Sequence, residues 1–246
     1  MLETTAGWLL VILAGISIGA TSIGGVIVVP ALTALLGLPL PTALAVSSLA
    51  FLATGLWALF QVESNKLTAF LSNTPLMLSA LVGAFVGAYF SDLLPGSWGR
   101  AWVGTLALAS GFYSLWRVKI SQMQAQHTAW PSQGTQKLIG ILVGTGSALS
   151  GTGGPVLLLP YLSITHRSIE RSIATAQLIQ IPIALAATVA HISAHRFDLS
   201  LSIAVALVLV AGSMLGKKLT EQLSNAVLKT TTASLLIVTG IWFLLF

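Results

Sequence analysis

Two short stretches rich in glycine and hydroxyl residues interrupt apolar segments 130 positions apart. The first holds Ser22, Gly24 and Gly25, and the second holds Thr152, Gly153 and Gly154. A membrane helix that unwinds leaves N–H and C=O groups that lipid cannot pair, so such a break persists only where protein, water or a ligand supplies partners. The free N–H groups at the start of a half-helix carry partial positive charge, and glycine lets a ligand approach them. These residues therefore predict a site for a small anion built from main-chain donors.

Hydroxyl and amide side chains on the helix that follows each break add neutral donors. They are Ser47, Ser48, Thr175 and Gln177. With them, an anion is held without a buried lysine or arginine. The alternative interpretation is close helix packing, because small residues also let membrane helices approach one another. The occurrence of a break in both halves favours binding over packing for the break residues.

Composition indicates a membrane protein. Hydrophobic residues make up 55% of the 246 residues and charged residues only 7%, and the mean hydropathy is +0.93, whereas a soluble domain has about 25% charged residues. The net charge of +5 comes from basic residues scattered through short loops, which argues against nucleic acid as a partner. The chain has no cysteine for thiolate metal sites and no phosphate-binding loop for ATP, and we expect no cofactor.

Apolar runs predict six long helices, three in each half of the chain. Their expected positions are 41–61, 67–91, 98–117, 170–192, 197–217 and 226–246. Each trio follows a glycine-broken region, 7–36 in the first half and 137–164 in the second. The predicted fold is an all-α integral membrane protein with two inverted repeats, each a glycine-broken re-entrant hairpin plus three transmembrane helices. It forms a single membrane domain over 1–246, with repeat one at 1–117, an interfacial link at 118–136 and repeat two at 137–246.

The distribution of basic residues favours the inverted arrangement. If each broken region returns to its starting side, nine of the 11 basic residues lie on the cytoplasmic side, and only Arg100 and Arg196 lie outside. If the broken regions cross the membrane instead, the better orientation divides the basic residues six to five. We therefore expect both termini outside the cytoplasm, in the inner membrane of a prokaryotic cell. Lipid is then an expected partner, and the protein is expected to be a monomer or a homodimer.

The two halves share further landmarks. Glycine pairs at Gly83/Gly87 and Gly212/Gly216 occupy corresponding helices, and their four-residue spacing is typical of close helix packing. Trp102 and Tyr113 lie near predicted helix ends and indicate interfacial anchors.

Together with the break residues, several short motifs carry a resemblance to a known family. They are Gly24-Gly25 before Pro30, Ala45-Val46-Ser47-Ser48, Thr152-Gly153-Gly154 before Pro160, Thr175-Ala176-Gln177, and His195-Arg196-Phe197-Asp198. In these residues the chain resembles the sulfite exporter TauE/SafE family of membrane permeases over essentially its whole length. The resemblance implies a permease, not an enzyme, for a small sulfur-containing anion such as sulfite or an organosulfonate. Rocking of one half against the other would give alternating access.

Intramembrane charge is scarce in this sequence. All six acidic residues fall in loops or at predicted helix ends, and His191 lies near the end of its helix. We interpret His191 as an interfacial histidine, so the sequence favours passive anion flux or a proton carried on the substrate over a histidine relay.

Other classes of function compete with transport. Ser147, Ser150 and His191 are the residue types of an intramembrane serine protease, although their spacing does not fit such an enzyme. A metal-ion permease is disfavoured by the lack of buried carboxylates. A structural membrane subunit with no transport activity is the remaining alternative.

Overall fold

The computed structural model describes residues 2–61, 73–93, 96–120, 132–164, 169–222 and 225–245, and these residues contain helices and short connections but no strand. In the first half the helices are α1 (Leu2–Thr21), α2 (Gly25–Pro30), α3 (Leu40–Leu59), α4 (Thr74–Tyr89) and α5 (Gly96–Ile120). In the second half they are α6 (Gln133–Ser150), α7 (Pro155–Ile164), α8 (Ile169–Ser193), α9 (Leu199–Gln222) and α10 (Asn225–Leu245). A π-helical turn, Ala31–Leu35, extends α2, and a 3₁₀ turn, Ser91–Leu93, follows α4.

The prediction of an all-α membrane protein is confirmed. In the described part of the chain, three helical segments are both long and apolar enough to cross a membrane: Leu40–Leu59, Ala174–Ser193 and Leu199–Thr220. They correspond to three of the six predicted spans. Helices also occupy the positions of the other three.

The second predicted span is shorter than expected. We predicted a helix over 67–91, but α4 begins at Thr74 and has 16 residues, which is a length of about 24 Å. Pro75 stands in its first turn, where the missing N–H is tolerated and the fixed backbone angle favours a helix start. Residues 67–72 lie outside the described part of the chain.

The link between the last helix of the first half and the first helix of the second half has fewer residues than predicted. Helix α5 continues to Ile120, and α6 begins at Gln133, where the Ser132 hydroxyl accepts a hydrogen bond from the Thr135 N–H at 3.3 Å. Both ends of the predicted link 118–136 are therefore helical. Its centre, 121–131, is not among the described residues, so its interfacial position stays a prediction.

Helix α1 ends at Thr21, because the next residue leaves the right-handed helical conformation. Ser22 has a left-handed backbone (φ 62°), which a helix cannot continue, and its N–H donates to the Ile18 carbonyl at 2.9 Å. The Thr21 hydroxyl donates to the Ser17 carbonyl at 2.9 Å. The first predicted break is therefore present, between Thr21 and Gly25.

Helix α6 ends in a similar way. Gly151 caps it in the left-handed region (φ 60°), where glycine carries no steric penalty, and its N–H donates to the Ser147 carbonyl. The Ser150 hydroxyl donates to the Gly146 carbonyl at 2.8 Å. The second predicted break is therefore also present, between Ser150 and Pro155.

Glycine seams, at which two helix backbones touch, fix α6 on α4 and α1 on α9, and each seam joins the two halves of the chain. A methyl group added at Gly83 of α4 would lie 2.5 Å from the Ile141 carbonyl oxygen of α6. One added at Gly87 would lie 2.8 Å from the Thr145 carbonyl oxygen. The Thr145 hydroxyl also donates to the Gly83 carbonyl at 3.0 Å. The two backbones thus touch, and the predicted packing role of this glycine pair is confirmed.

The same contact joins α1 to α9. A methyl group at Gly212 would lie 2.9 Å from the Ile12 carbonyl oxygen, and Gly216 meets the next turn of α1 as closely. Glycines of α1 also lie at this contact, since a methyl group at Gly15 would lie 2.8 Å from the Leu209 carbonyl oxygen. The packing role predicted for Gly212 and Gly216 is confirmed as well.

Arg196 joins the turn after α8 to the end of α4. Its guanidinium donates to the carbonyls of Ala88 (3.0 Å) and Tyr89 (3.1 Å) and to the Ser91 hydroxyl (2.9 Å). It also forms an ion pair with Asp92 at 2.5 Å. A cation at the end of a helix satisfies its last carbonyls and its negative dipole. The C-terminal ends of α4 and α8 therefore lie side by side.

Candidate functional site

The two breaks meet inside the protein. A methyl group added at Gly25 would lie 2.6 Å from the carbonyl oxygen of Thr152. The ring of Phe51, on α3, contacts both breaks, because methyl groups at Gly25 and at Gly153 would each lie 3.1 Å from one of its carbons. Phe51 is only 2% exposed. The predicted juxtaposition of the two breaks is confirmed.

The other residues of the first break face different surroundings. Ser22 is buried, and its hydroxyl has no hydrogen-bond partner. Gly24 faces α1, since a methyl group there would lie 2.5 Å from the Ala14 carbonyl oxygen. Gly24 therefore packs the start of α2 against α1 and does not point toward the second break.

The second break shows a comparable division. Thr152 is buried, its hydroxyl lies 3.0 Å from that of Ser150, and its N–H donates to the Ser147 carbonyl at 3.1 Å. Gly154 faces α8, where a methyl group would lie 2.8 Å from the Ile183 side chain. The hydroxyl of Thr152 is thus engaged within its own break.

A small cavity lies beside the second break, between α3, α6 and α8. Its volume is about 10 Å³, close to the space that one water molecule needs. The lining residues are Leu44, Ser47, Ser48, Phe51, Ser147, Ala148, Gly151, Gly153, Ile183, Ala184, Ala187 and His191. Of the residues predicted to bind substrate, the structure brings Ser47, Ser48 and Gly153 into this lining. It does not bring Ser22, Gly24, Gly25, Thr152, Gly154, Thr175 or Gln177 there.

The two predicted serines of α3 already have partners. The Ser47 hydroxyl donates to the Leu44 carbonyl at 2.9 Å, and the Ser48 hydroxyl lies 2.7 Å from the Ala45 carbonyl and 3.0 Å from the Thr188 hydroxyl. Each hydroxyl must leave its carbonyl before it can donate to a ligand. Ser48 and Thr188 thereby join α3 to α8 at the cavity wall.

The amide beside the breaks belongs to Gln180, which the sequence analysis did not select. Its Nε2 donates to the Phe51 carbonyl at 2.7 Å and to the Thr54 hydroxyl at 2.6 Å. Gln177, one turn earlier on α8, is half-buried and outside the cavity lining. The sequence did contain a signal for Gln180, because it lies three residues after Gln177 and therefore on nearly the same face of the helix.

His191 is buried inside the protein. His191 lies near the end of α8, as predicted, and its interfacial depth stays a prediction, but it is 1% exposed and lines the cavity, which we did not predict. The chain turns back at Ala194 to Arg196, where the Arg196 N–H donates to the His191 carbonyl at 3.1 Å, and α8 places the side chain inward. The sequence signal was present, because His191 is an ionisable residue close to an apolar run.

Ser147 is the second residue of the cavity that spacing did not indicate as a binding residue. It is 1% exposed, and its hydroxyl has no hydrogen-bond partner. His191 Nδ1 is likewise buried and without a partner. These two atoms are therefore not hydrogen-bonded to each other as a nucleophile and its base would be.

The helix ends at the breaks differ in how their backbone groups are satisfied. Carbonyls in the last turn of α6 accept bonds from the Ser150 hydroxyl and from the N–H groups of Gly151 and Thr152. The N-cap of α2, in contrast, is Gly24, so no side chain caps its N-terminus. The negative helix ends are thus satisfied internally, while the positive end of α2 has no side-chain acceptor.

Helix α5 supports the second hairpin. The interfacial positions of Trp102 and Tyr113 stay a prediction, and both side chains also bond to the second broken region: Trp102 Nε1 donates to the Gly146 carbonyl at 3.2 Å, and the Tyr113 hydroxyl donates to the Leu159 carbonyl at 3.1 Å. One bond holds α6 just before its break, and the other holds α7 just after it. These side chains fix the position of the second break.

Apolar helices that break in pairs around buried polar groups are typical of membrane transporters. The comparison of sequences agrees. Residues 6–243 match the family described as Sulfite exporter TauE/SafE, and the chain belongs to this family of membrane transporters, which are not enzymes. The chain is also 25% identical over 226 residues to the probable membrane transporter protein YdhB of Bacillus subtilis (strain 168), covering 90% of this chain and 92% of that protein. No solved structure matches the chain.

Proposed function

We propose that this integral membrane transporter moves a small sulfur-containing oxyanion, such as sulfite or an organosulfonate, by alternating access around the two breaks. The contact between Gly25 and the Thr152 carbonyl carries the proposal, because it joins the two irregular segments inside the protein. Irregular backbone at membrane depth is tolerated where it serves a cavity or a site. The family described above supports the sulfur anion as substrate.

Neutral donors suit such a substrate. Among the residues that line the cavity, His191 is the one with an ionisable side chain, and serines and glycines supply the other polar groups. A helix N-terminus and hydroxyl groups bind oxyanions well because they present fixed donors without a counter-ion to displace.

We infer a closed conformation of the proposed site from the size of the cavity. A cavity of about 10 Å³ holds no more than about one water molecule, which is too small for an oxyanion of four heavy atoms. Phe51 closes the space between the breaks. We infer that substrate enters when α3 and its Phe51 ring move away from the second break.

The inverted arrangement of the repeats is part of the proposal. In the parallel alternative, the end of α4 and the end of α8 would lie on opposite sides of the membrane. The ion pair of Arg196 with Asp92 supports the inverted arrangement, since it joins these two ends. The glycine seams also argue against rocking of the first half of the chain on the second half. They fix α1 to α9 and α6 to α4, so each seam holds the two halves together. We propose moving units that include α1 with α9 and α4 with α6.

Ligand-induced stabilisation of the purified protein tests the substrate class. Sulfite or a small sulfonate is expected to raise the unfolding temperature, since a ligand at 100 times its Kd stabilises by about 2.7 kcal/mol. Sulfate, thiosulfate and chloride at matched ionic strength are the comparison anions. An equal response to all of them, or to none, contradicts the proposal.

A pair of glycine variants tests the site. Gly25→Ala adds a methyl group 2.6 Å from the Thr152 carbonyl oxygen, so we expect sulfite uptake into proteoliposomes to fall at least tenfold. Gly134→Ala is the control, because its new methyl group meets only the Ser132 hydroxyl, at 3.9 Å, at the exposed start of α6. Full uptake by Gly25→Ala would remove the breaks from the transport path.

A further inference from the structure

We propose that Ser147 and His191 bind the transported oxyanion together with one proton, which couples transport to the proton gradient. This inference rests on the proposed transport of a small oxyanion. It assigns the binding position to the cavity beside the second break and gives His191 the role of sharing the proton.

Two unpartnered polar atoms in one cavity support this assignment. His191 Nδ1 and Ser147 Oγ are buried, neither has a hydrogen-bond partner, and both residues line the same small space. Buried polar groups in folded proteins are nearly always paired, so each exception requires an explanation. A ligand that supplies both partners at once provides that explanation.

The remaining polar groups of the cavity are occupied. The hydroxyls of Ser47 and Ser48 already have partners on α3 and α8. Of the side-chain polar groups that line the cavity, those of Ser147 and His191 are therefore the ones that can bind a ligand without giving up an existing hydrogen bond. They come from α6 and α8, which are the first and the second long helix of repeat two.

The chemistry of the two groups matches a protonated oxyanion. The Ser147 hydroxyl donates to one anion oxygen. A neutral His191 accepts the hydrogen bond of a protonated oxygen at Nδ1, or a protonated His191 donates to the same oxygen of the anion that has lost the proton. Both forms contain the same atoms and one shared proton, so one proton enters the cavity with each anion.

The surroundings leave His191 as the proton-exchanging group. Helix α3 carries no ionisable side chain, and the described side chains of α4, α6 and α7 include only Tyr89, Lys137 and Tyr161. Lys137 lies ten residues before Ser147, which is about 15 Å along α6. The Arg196 guanidinium is engaged with Asp92 and the end of α4. Glu170 and Arg171 stand at the opposite end of α8 from His191.

Proteoliposome transport and equilibrium binding of sulfite test the inference. For the wild-type protein, a gradient of one pH unit is expected to drive up to about tenfold accumulation of sulfite. His191→Gln should abolish this accumulation and remove the pH dependence of the sulfite Kd, measured by thermal shift at pH 6 and pH 8. Ser147→Ala should raise the sulfite Kd about tenfold. At saturating sulfite it should still accumulate sulfite in response to the pH gradient, because His191 remains.

His195→Asn is the matched control. His195 is exposed in the turn after α8, and asparagine tolerates its left-handed backbone (φ 55°). This variant should behave as the wild type does. If His191→Gln keeps wild-type affinity and gradient-driven accumulation, the inference is wrong while the proposed transport stands. If the wild-type protein binds and transports neither sulfite nor a small sulfonate, the proposed function itself fails.

Discussion

Gln180 links the second break to α3 through a single amide nitrogen. That nitrogen donates to the Phe51 carbonyl and to the Thr54 hydroxyl, and its side chain lies beside Gly153. The sequence predicted polar groups on this helix but selected Gln177, which lies one turn away. Residue type and the register of the repeat do not determine which of two glutamines points toward a neighbouring helix, because that depends on how α8 is rotated against α3.

Replacement of Gln180 is expected to loosen the site. Gln180→Leu removes both hydrogen bonds and leaves the Thr54 hydroxyl with a single partner, so we expect a loss of about 1–3 kcal/mol in unfolding free energy. Gln177→Leu, on the same helix, should cost much less because Gln177 is half-buried and outside the cavity lining. Unfolding temperatures in detergent provide the measurement, and equal shifts for the two variants would contradict the assigned role.

At the scale of elements, the sequence located the breaks and the long helices well. Hydropathy and glycine placement carry that information, because lipid penalises unpaired backbone wherever it occurs. The start of α4 and the burial of His191 were missed. The start of α4 depends on the local backbone at Asn73-Thr74-Pro75, and the burial of His191 depends on the turn at His195-Arg196. Hydropathy alone specifies neither.

Arg196 is expected to hold the corner between α4 and α8. Arg196→Gln removes the ion pair with Asp92 and the bonds to three acceptors at the end of α4, so we expect a loss of about 1–3 kcal/mol. Asp92→Asn keeps those three bonds and removes only a half-exposed ion pair, which is worth about 0.2–1 kcal/mol. A larger fall in unfolding temperature for Asp92→Asn than for Arg196→Gln would reverse this ranking.

At the scale of the whole molecule, the distribution of the basic residues predicts the orientation in the membrane. The natural chain has no cysteine, so single cysteines report their position cleanly. Asp92→Cys and His195→Cys are expected to react with an impermeant maleimide added to intact cells. Lys137→Cys and Lys217→Cys, at exposed positions, should react only after the membrane is opened. The opposite pattern would reverse the orientation, and a mixed pattern would contradict the inverted arrangement.

The two glycine seams form at different times during synthesis of the chain. Helix α4 is already made when α6 emerges, so α6 can pack against it at once. Helix α1 emerges first, and the turn of α9 that holds Gly212 follows about 190 residues later, which is roughly 10–40 s of translation. Throughout that interval the Gly15 and Gly19 face of α1 lacks its partner. The newly made chain must therefore keep this glycine face of α1 without its partner helix until α9 has been inserted.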